Sequence, residues 1–282
     1  MAFTTLLSPA DAAAGVGRAD WVFVDCRFAL ADPEAGRNRY AQGHIPGAVY
    51  AHLDDDLSSP IAETSGRHPL PTPEELAAKL GNWGIGQGVQ VVAYDDAGGA
   101  FAARLWWLLK WLGHELAAVL DGGYPAWQAA SLPTSTEPAR PAPAMFAAQP
   151  DNALWLDAAA VQKAVDSGGA ALLDARGAAR YRGDEEPVDP VAGHVPGAIN
   201  TPFAENLTAD GAMRPAEELH ARFAPIAAGT GEGGVVHMCG SGVTACHNAL
   251  AMAAVGLPMG RLYAGSWSEW IRDPDRPVAK GS

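Results

Sequence analysis

The chain has 282 residues, enough for two domains at roughly 150 residues each; 48% hydrophobic against 18% charged residues describes a globular protein with a sizeable core. Asp plus Glu number 32 and Lys plus Arg 19, a net charge of −13. That balance argues against nucleic acid or an anionic membrane as partner, and any anionic substrate must meet a local positive site. No apolar run nears the roughly 18 residues of a membrane span, and residues 1–17 lack the basic start and apolar core of a signal peptide. The three cysteines, Cys26, Cys239 and Cys246, fit free thiols in a reducing, cytoplasmic setting better than a disulfide framework. Neither Cys-x-x-Cys nor His-Glu-x-x-His occurs, so no structural zinc site is expected.

In chain order, the first strand pattern is VFVDCRFA from Val22, followed by a turn motif, GHIPGAVY, at Gly43–Tyr50. Thr72-Pro73-Glu74-Glu75 predicts a helix start, with Thr72 as cap, Pro73 in the first turn and Glu75 reaching back. Val89–Tyr94 reads as a strand, and Phe101–Leu112 as an apolar helix whose Trp106, Trp107 and Trp111 belong to the core. DGGYPAW closes this stretch at Asp121–Trp127. Leu132–Pro150 has five prolines and no apolar periodicity, and is expected to wrap outside as a semi-extended linker.

From Ala171 the pattern begins again. ALLDARGA matches VFVDCRFA, GHVPGAIN at Gly193–Asn200 matches GHIPGAVY, VVHMCG (Val235–Gly240) matches VVAYDD (Val91–Asp96), and AGSWSEW (Ala264–Trp270) matches DGGYPAW. The spacings agree: 19 residues from Asp25 to His44 against 20 from Asp174 to His194, and 32 from Asp95 to Trp127 against 31 from Cys239 to Trp270. Four matched blocks in one order predict two copies of one domain, at 1–132 and 151–282 with a linker at 133–150. Strands alternating with helices predict an α/β fold, each copy a parallel sheet with helices on both faces.

In such sheets ligands bind beyond the carboxyl ends of the strands. The run into Cys239, the loop Gly240-Ser241-Gly242-Val243-Thr244 and the helical ACHNALAMAAVG have that layout. Gly240 and Gly242 permit tight turning, so that backbone N–H groups converge on one point, and the helix adds its positive end. Both features favour negative charge on a sulfur there and mark Cys239 as the candidate nucleophile. The matching loop of the first copy carries Asp95-Asp96-Ala97-Gly98-Gly99; a carboxylate in a ring of donors is satisfied but cannot transfer sulfur, so the first copy is expected to be catalytically silent and to complete the site from across the interface. Cys246, seven residues after Cys239, reads as core, and no partner is identifiable for Cys26. His44 and His194 read as structural parts of the turn motif, and Arg176, at a strand end after Asp174, as structural too.

The CGSGVT loop, the paired GHxPGA motifs, the GSWxEW ending and the two-copy layout resemble the tandem-domain rhodaneses over nearly the whole chain. The loop is similar to that of 3-mercaptopyruvate sulfurtransferases, whereas thiosulfate sulfurtransferases typically carry two basic residues after the cysteine. The resemblance implies a double displacement through a Cys239 persulfide, from 3-mercaptopyruvate to a thiol or cyanide, with no metal or organic cofactor. It implies that Gly240, Gly242, Val243 and Thr244 hold the donor and the persulfide, and that Ser241, His68 and Asp54 form a relay for the proton that pyruvate enolate needs. Arg180 matches the arginine that grips the donor's carboxylate, with Arg182 a neighbouring alternative. Family members often place a second arginine before the GHxPG motif; here DEEPVDPVAGH has Val188 or a neighbour at that position. Thiosulfate as donor and a noncatalytic rhodanese-like sensor are the rival readings. A cysteine phosphatase would need an arginine six residues after the cysteine, where Ala245 stands.

Overall fold

The computed structural model describes residues 2–231 and 233–282. Its contacts divide the chain into two compact units: Met1–Ser59 with Leu70–Asp151 and Ala209–Met213, and Pro60–Pro69 with Asn152–Thr208 and Arg214–Ser282. In the first lie strands β1 (Leu6–Leu7), β2 (Trp21–Asp25), β3 (Val49–Tyr50), β4 (Gln90–Tyr94) and β5 (Ala117–Leu120), with helices α1 (Pro9–Ala13), α2 (Ala35–Gln42), α3 (Pro73–Asn82), α4 (Ala102–Trp111) and α5 (Gly123–Ala129). The second has β6 (Trp155–Leu156), β7 (Ala170–Asp174), β8 (Ile199–Asn200), β9 (Gly234–Met238) and β10 (Arg261–Tyr263), with α6 (Ala158–Asp166), α7 (Ala178–Arg182), α8 (Ala216–Ala228), α9 (Ala245–Ala254) and α10 (Ser266–Trp270). The sheet orders are β1-β5-β4-β2-β3 and β6-β10-β9-β7-β8, every pairing parallel. The repeat seen in the sequence is thus a repeat of topology.

Every residue of β4 is buried, as are Val235–Met238 of β9. Successive strand side chains point to opposite faces, so both faces of each central strand are covered, as their continuous apolar character predicts. Trp106, Trp107 and Trp111 of α4 are core residues. Helix α3 starts where the sequence places it: Thr72 accepts from the Glu75 N–H at 3.2 Å and its hydroxyl donates to the Glu75 carboxylate at 2.8 Å.

The repeated motifs lock each unit in the same way. Asp25 at the end of β2 and Asp174 at the end of β7 each grip the arginine two residues on, Arg27 at 2.5 Å and Arg176 at 2.7 Å, all buried. These arginines donate to the carbonyls of Gly43 and Gly193 at 2.7 Å, at the head of each GHxPGA turn. His44 stacks on Tyr40 at 3.9 Å and His194 on Tyr181 at 3.8 Å, and each is bridged, antiparallel, to a later segment of its own unit, Ser135 or Ala279. The two histidines are structural, as their place in the motif suggests. Through the Ser135 bridge, and through bonds of Ala144 to Gly81 and Gln149 to Leu112 (both 2.9 Å), the proline-rich stretch is bound along the first unit. No helix among the described residues is long and apolar enough to cross a membrane.

Candidate active site

Strand β9 delivers Cys239, 2% exposed, to the carboxyl edge of its sheet, and five loop residues separate it from α9. The backbone around the cysteine is held by the chain that enters α10. Cys239 N–H donates to Ser266 Oγ at 3.1 Å, and Ser266 Oγ donates to the Tyr263 carbonyl at 2.8 Å. The Cys239 and Gly240 carbonyls accept from the Trp267 and Ser268 N–H groups at 3.0 and 2.9 Å. Ser266 makes its contact from a left-handed backbone, φ 53°, a conformation that costs a non-glycine residue on the order of 1–3 kcal/mol. Gly242 is needed twice over: its φ is +75°, and a Cβ there would stand 2.3 Å from the Ala264 carbonyl oxygen.

Ser241, buried, bonds through Oγ to Nδ1 of the equally buried His68 at 2.7 Å. His68 belongs to the segment Pro60–Pro69, which groups with the second unit although the sequence assigns it to the first copy. Asp54 lies in the first unit, exposed; partial burial pushes its carboxyl up, and His52 opposes the shift. Arg180, on α7, donates from Nε and Nη2 to Glu186 at 3.0 and 2.7 Å and from Nη2 to Asp189 at 3.2 Å. Burial works against the charge of Glu186, but hydrogen bonds from Arg180 and from the Asp189 and Val188 N–H groups outweigh it and lower its pKa. Where the sequence comparison expects a second arginine there are therefore two buried acids. Arg182 pairs with Asp184 on the surface.

Sequence reasoning missed Arg67. Its guanidinium pairs with Asp189, its backbone N–H donates to Ser268 Oγ at 3.0 Å, and Gly66 packs so tightly that a Cβ would be 2.4 Å from the Gly265 carbonyl oxygen. A Cβ added to Gly240 would lie 2.9 Å from Arg67 Nη2 and 3.7 Å from both terminal nitrogens of Arg180. Two guanidinium groups thus flank the residue after Cys239. The only signal for Arg67 in the sequence is its place beside His68 in GRHPLP. Ser266 was equally hidden, though it stands in the repeated block opposite Gly123.

Cys246 is buried in α9, its thiol on the Gly242 carbonyl at 3.4 Å. Burial, reinforced by Asp95, Asp25 and Asp56, pushes the Cys26 thiol well above its ordinary value, which makes it unreactive. In the first unit the Asp95 carboxylate accepts four backbone N–H bonds, from Ala97, Gly99, Phe101 and Ala102, each 2.8 Å; burial pushes its carboxyl up and these four bonds oppose the shift.

The family model described as the rhodanese-like domain matches the chain twice, at residues 8–130 and 157–273. The chain belongs to the rhodanese family. This rhodanese-family chain is 51% identical over 283 residues to a probable 3-mercaptopyruvate sulfurtransferase of Pseudomonas aeruginosa, with 100% of both chains covered. It is 41% identical to a putative thiosulfate sulfurtransferase of Mycobacterium tuberculosis, over 98% of this chain and 97% of that one. Among solved structures, the 3-mercaptopyruvate sulfurtransferase from Leishmania major superposes with a TM-score of 0.80 at 32% identity, covering 95% of this chain and 74% of the other.

Proposed function

We propose that this protein is a sulfurtransferase that moves sulfur from 3-mercaptopyruvate to a thiol or cyanide through a persulfide on Cys239. The observation that carries the reading is the placement of Cys239 at the end of β9, with Ser241 Oγ bonded to His68 Nδ1 two residues further on. The Cys239 thiolate attacks the donor's sulfur; an S–S bond forms, the C–S bond breaks, and the electron pair leaves on carbon as pyruvate enolate. His68 and Ser241 supply the proton the enolate takes up, and Asp54 keeps the role of orienting partner that the sequence resemblance implies. The loop residues Gly240, Gly242, Val243 and Thr244 surround the persulfide, and Arg180 holds the donor's carboxylate. An acceptor thiolate or cyanide then removes the outer sulfur and restores the Cys239 thiolate, a ping-pong cycle that uses no metal or organic cofactor.

In this reading residues 151–282 form the catalytic copy and 1–132 a copy silent at Asp95, joined by 133–150. The protein acts on small molecules in the cytoplasm, a reducing setting suited to its free thiols, without nucleic acid or membrane partners. The thiosulfate reading is favoured by the paired guanidinium groups at Gly240. Glu186 and Asp189 offset those charges, which suits a monoanionic carboxylate better than a dianion. Incubation with 3-mercaptopyruvate should add the mass of one sulfur atom, removable by cyanide; no added mass would favour the sensor reading. A clearly higher kcat/KM with thiosulfate than with 3-mercaptopyruvate, at fixed cyanide, would reassign the donor.

A further inference from the structure

The turn between β10 and α10 holds the Cys239 backbone by three bonds. Ser266 Oγ accepts the Cys239 N–H from a left-handed backbone, φ 53°, and the Trp267 and Ser268 N–H groups bond the Cys239 and Gly240 carbonyls. All three depend on a strained turn keeping its shape. Gly265, which opens the turn, has φ −64°, a backbone that any residue adopts. What excludes a side chain there is the half-buried Glu269, whose Oε2 lies where a Cβ would stand. Glu269 thus folds back over the residue that caps its own helix, and its N–H donates to the Gly265 carbonyl at 3.1 Å. The Tyr263 hydroxyl is buried with no acceptor at full hydrogen-bond geometry among the described residues, and the Glu269 carboxyl is the ionisable group that acts on it most strongly. Burial pushes the Glu269 carboxyl up; the Tyr263 hydroxyl and then Arg276 oppose the shift, and Asp157 adds to it. The repeated blocks set Leu120 opposite Tyr263, Gly123 opposite Ser266 and Ala126 opposite Glu269. All three polar side chains therefore stand only in the copy that carries Cys239, whereas Gly123 takes the left-handed backbone without strain.

We propose that Glu269 is a positioning residue for sulfur transfer: its carboxyl, braced by the Tyr263 hydroxyl, fills the space over Gly265 and holds the Ser266 turn in the shape that fixes the Cys239 backbone. The inference rests on the proposed reaction at Cys239 and adds to it a support that acts through Ser266. The role needs volume and an acceptor for the Tyr263 hydroxyl, and a glutamine side chain offers both. A charge is not required.

The test follows persulfide formation in single turnovers with 3-mercaptopyruvate. In Glu269→Ala the rate at saturating donor should fall roughly 10- to 100-fold, because a small misplacement of the reacting group is costly, while the half-saturating concentration stays within about 2-fold. Glu269→Gln should stay within about 2-fold of wild type in both. Glu269→Asp keeps the charge but falls short of Gly265; it should be slowed like Glu269→Ala and serves where the alanine variant does not fold. Tyr263→Phe should lose several-fold, and adding it to Glu269→Ala should cost little more, since the hydroxyl acts through Glu269. Independently of any donor, amide exchange at Cys239, Trp267 and Ser268 should quicken at least about 5-fold in Glu269→Ala, match wild type in Glu269→Gln, and stay unchanged in β7. A Glu269→Gln protein as slow as Glu269→Ala, additive losses in the double variant, or a loss confined to half-saturation would overturn the positioning role. A wild-type protein that forms no persulfide from 3-mercaptopyruvate would defeat the proposed donor, and exchange at the three amides would still decide whether Glu269 holds the turn.

Discussion

The loop after β4 and the loop after β9 start from one frame: a buried parallel strand, a turn, a helix, and a later N–H, from Tyr124 or Trp267, donated to the carbonyl of the first loop residue at 2.8 or 3.0 Å. Into this frame the first unit places Asp95, whose two oxygens take up four N–H donors. The second unit places Cys239, which brings no oxygen to occupy such donors. Two residues on, Ala97 has no polar side chain where Ser241 reaches His68. At the left-handed position that follows, Gly123 (φ 59°) needs no compensation, whereas Ser266 (φ 53°) holds the Cys239 N–H. On the shared frame the side chain at the mouth of the loop decides the outcome: Asp95 carries its own acceptors and makes a finished structural contact, and Cys239 carries none.

The sharpest way to break this comparison is at the two mouths. Cys239→Ser should abolish sulfur transfer, a loss beyond about 10³-fold, while Cys26→Ser and Cys246→Ser keep most of it; substantial turnover by Cys239→Ser would refute the assignment. Asp95→Asn should leave kcat intact but set an NH2 group against two N–H donors, costing roughly 2–6 kcal/mol of stability, read as a lower urea midpoint. Unchanged unfolding would mean that the four bonds contribute nothing.

Smaller effects test the support of the Cys239 loop. His68→Ala should slow turnover with 3-mercaptopyruvate by on the order of 10²-fold and affect thiosulfate less, because only the enolate needs a proton; equal losses would mean that His68 merely shapes the pocket. His237, fully buried in β9 with one ring nitrogen on the Met259 carbonyl at 3.1 Å, has its pKa lowered from 6.5 to about 4 by burial. The unfolded chain therefore binds the extra proton between these values, and stability should fall as pH drops from 6.5 to 4, by about 2–4 kcal/mol in all. Urea titrations across that window should show a shallower slope for His237→Phe, and an identical slope would exclude His237 as the source. Ser266→Ala keeps the backbone strain and loses the bond, so it should unfold about 1–2 kcal/mol more easily, with Ser266→Gly between it and wild type in thermal melts.

Much of this site could be read in the sequence because its parts are local. The strand into Cys239, the glycine loop and α9 lie in one continuous stretch, and the capping of α3 needs only Thr72 to Glu75. Arg176 and the motif histidines could be recognised as structural because the same residue types recur in both copies. The acids are harder to read: DEEPVDPVAGH shows a missing arginine, yet its contacts with Arg180 and Arg67 come from Glu186 and Asp189, whose partners are not sequence neighbours on a common period.

The sequence alone determined the duplication, the parallel α/β plan and the strand–loop–helix setting of Cys239, since periodicity, turn chemistry and repetition act over a few residues. Only the tertiary structure decided which charges and hydroxyls meet. Ser241 and His68 are 173 residues apart and Arg67 and Asp189 122 apart, and no local propensity encodes such pairings. They arise when the segment Pro60–Pro69 packs against the Cys239 loop and α10, where Gly66 allows a backbone approach that no side chain would permit.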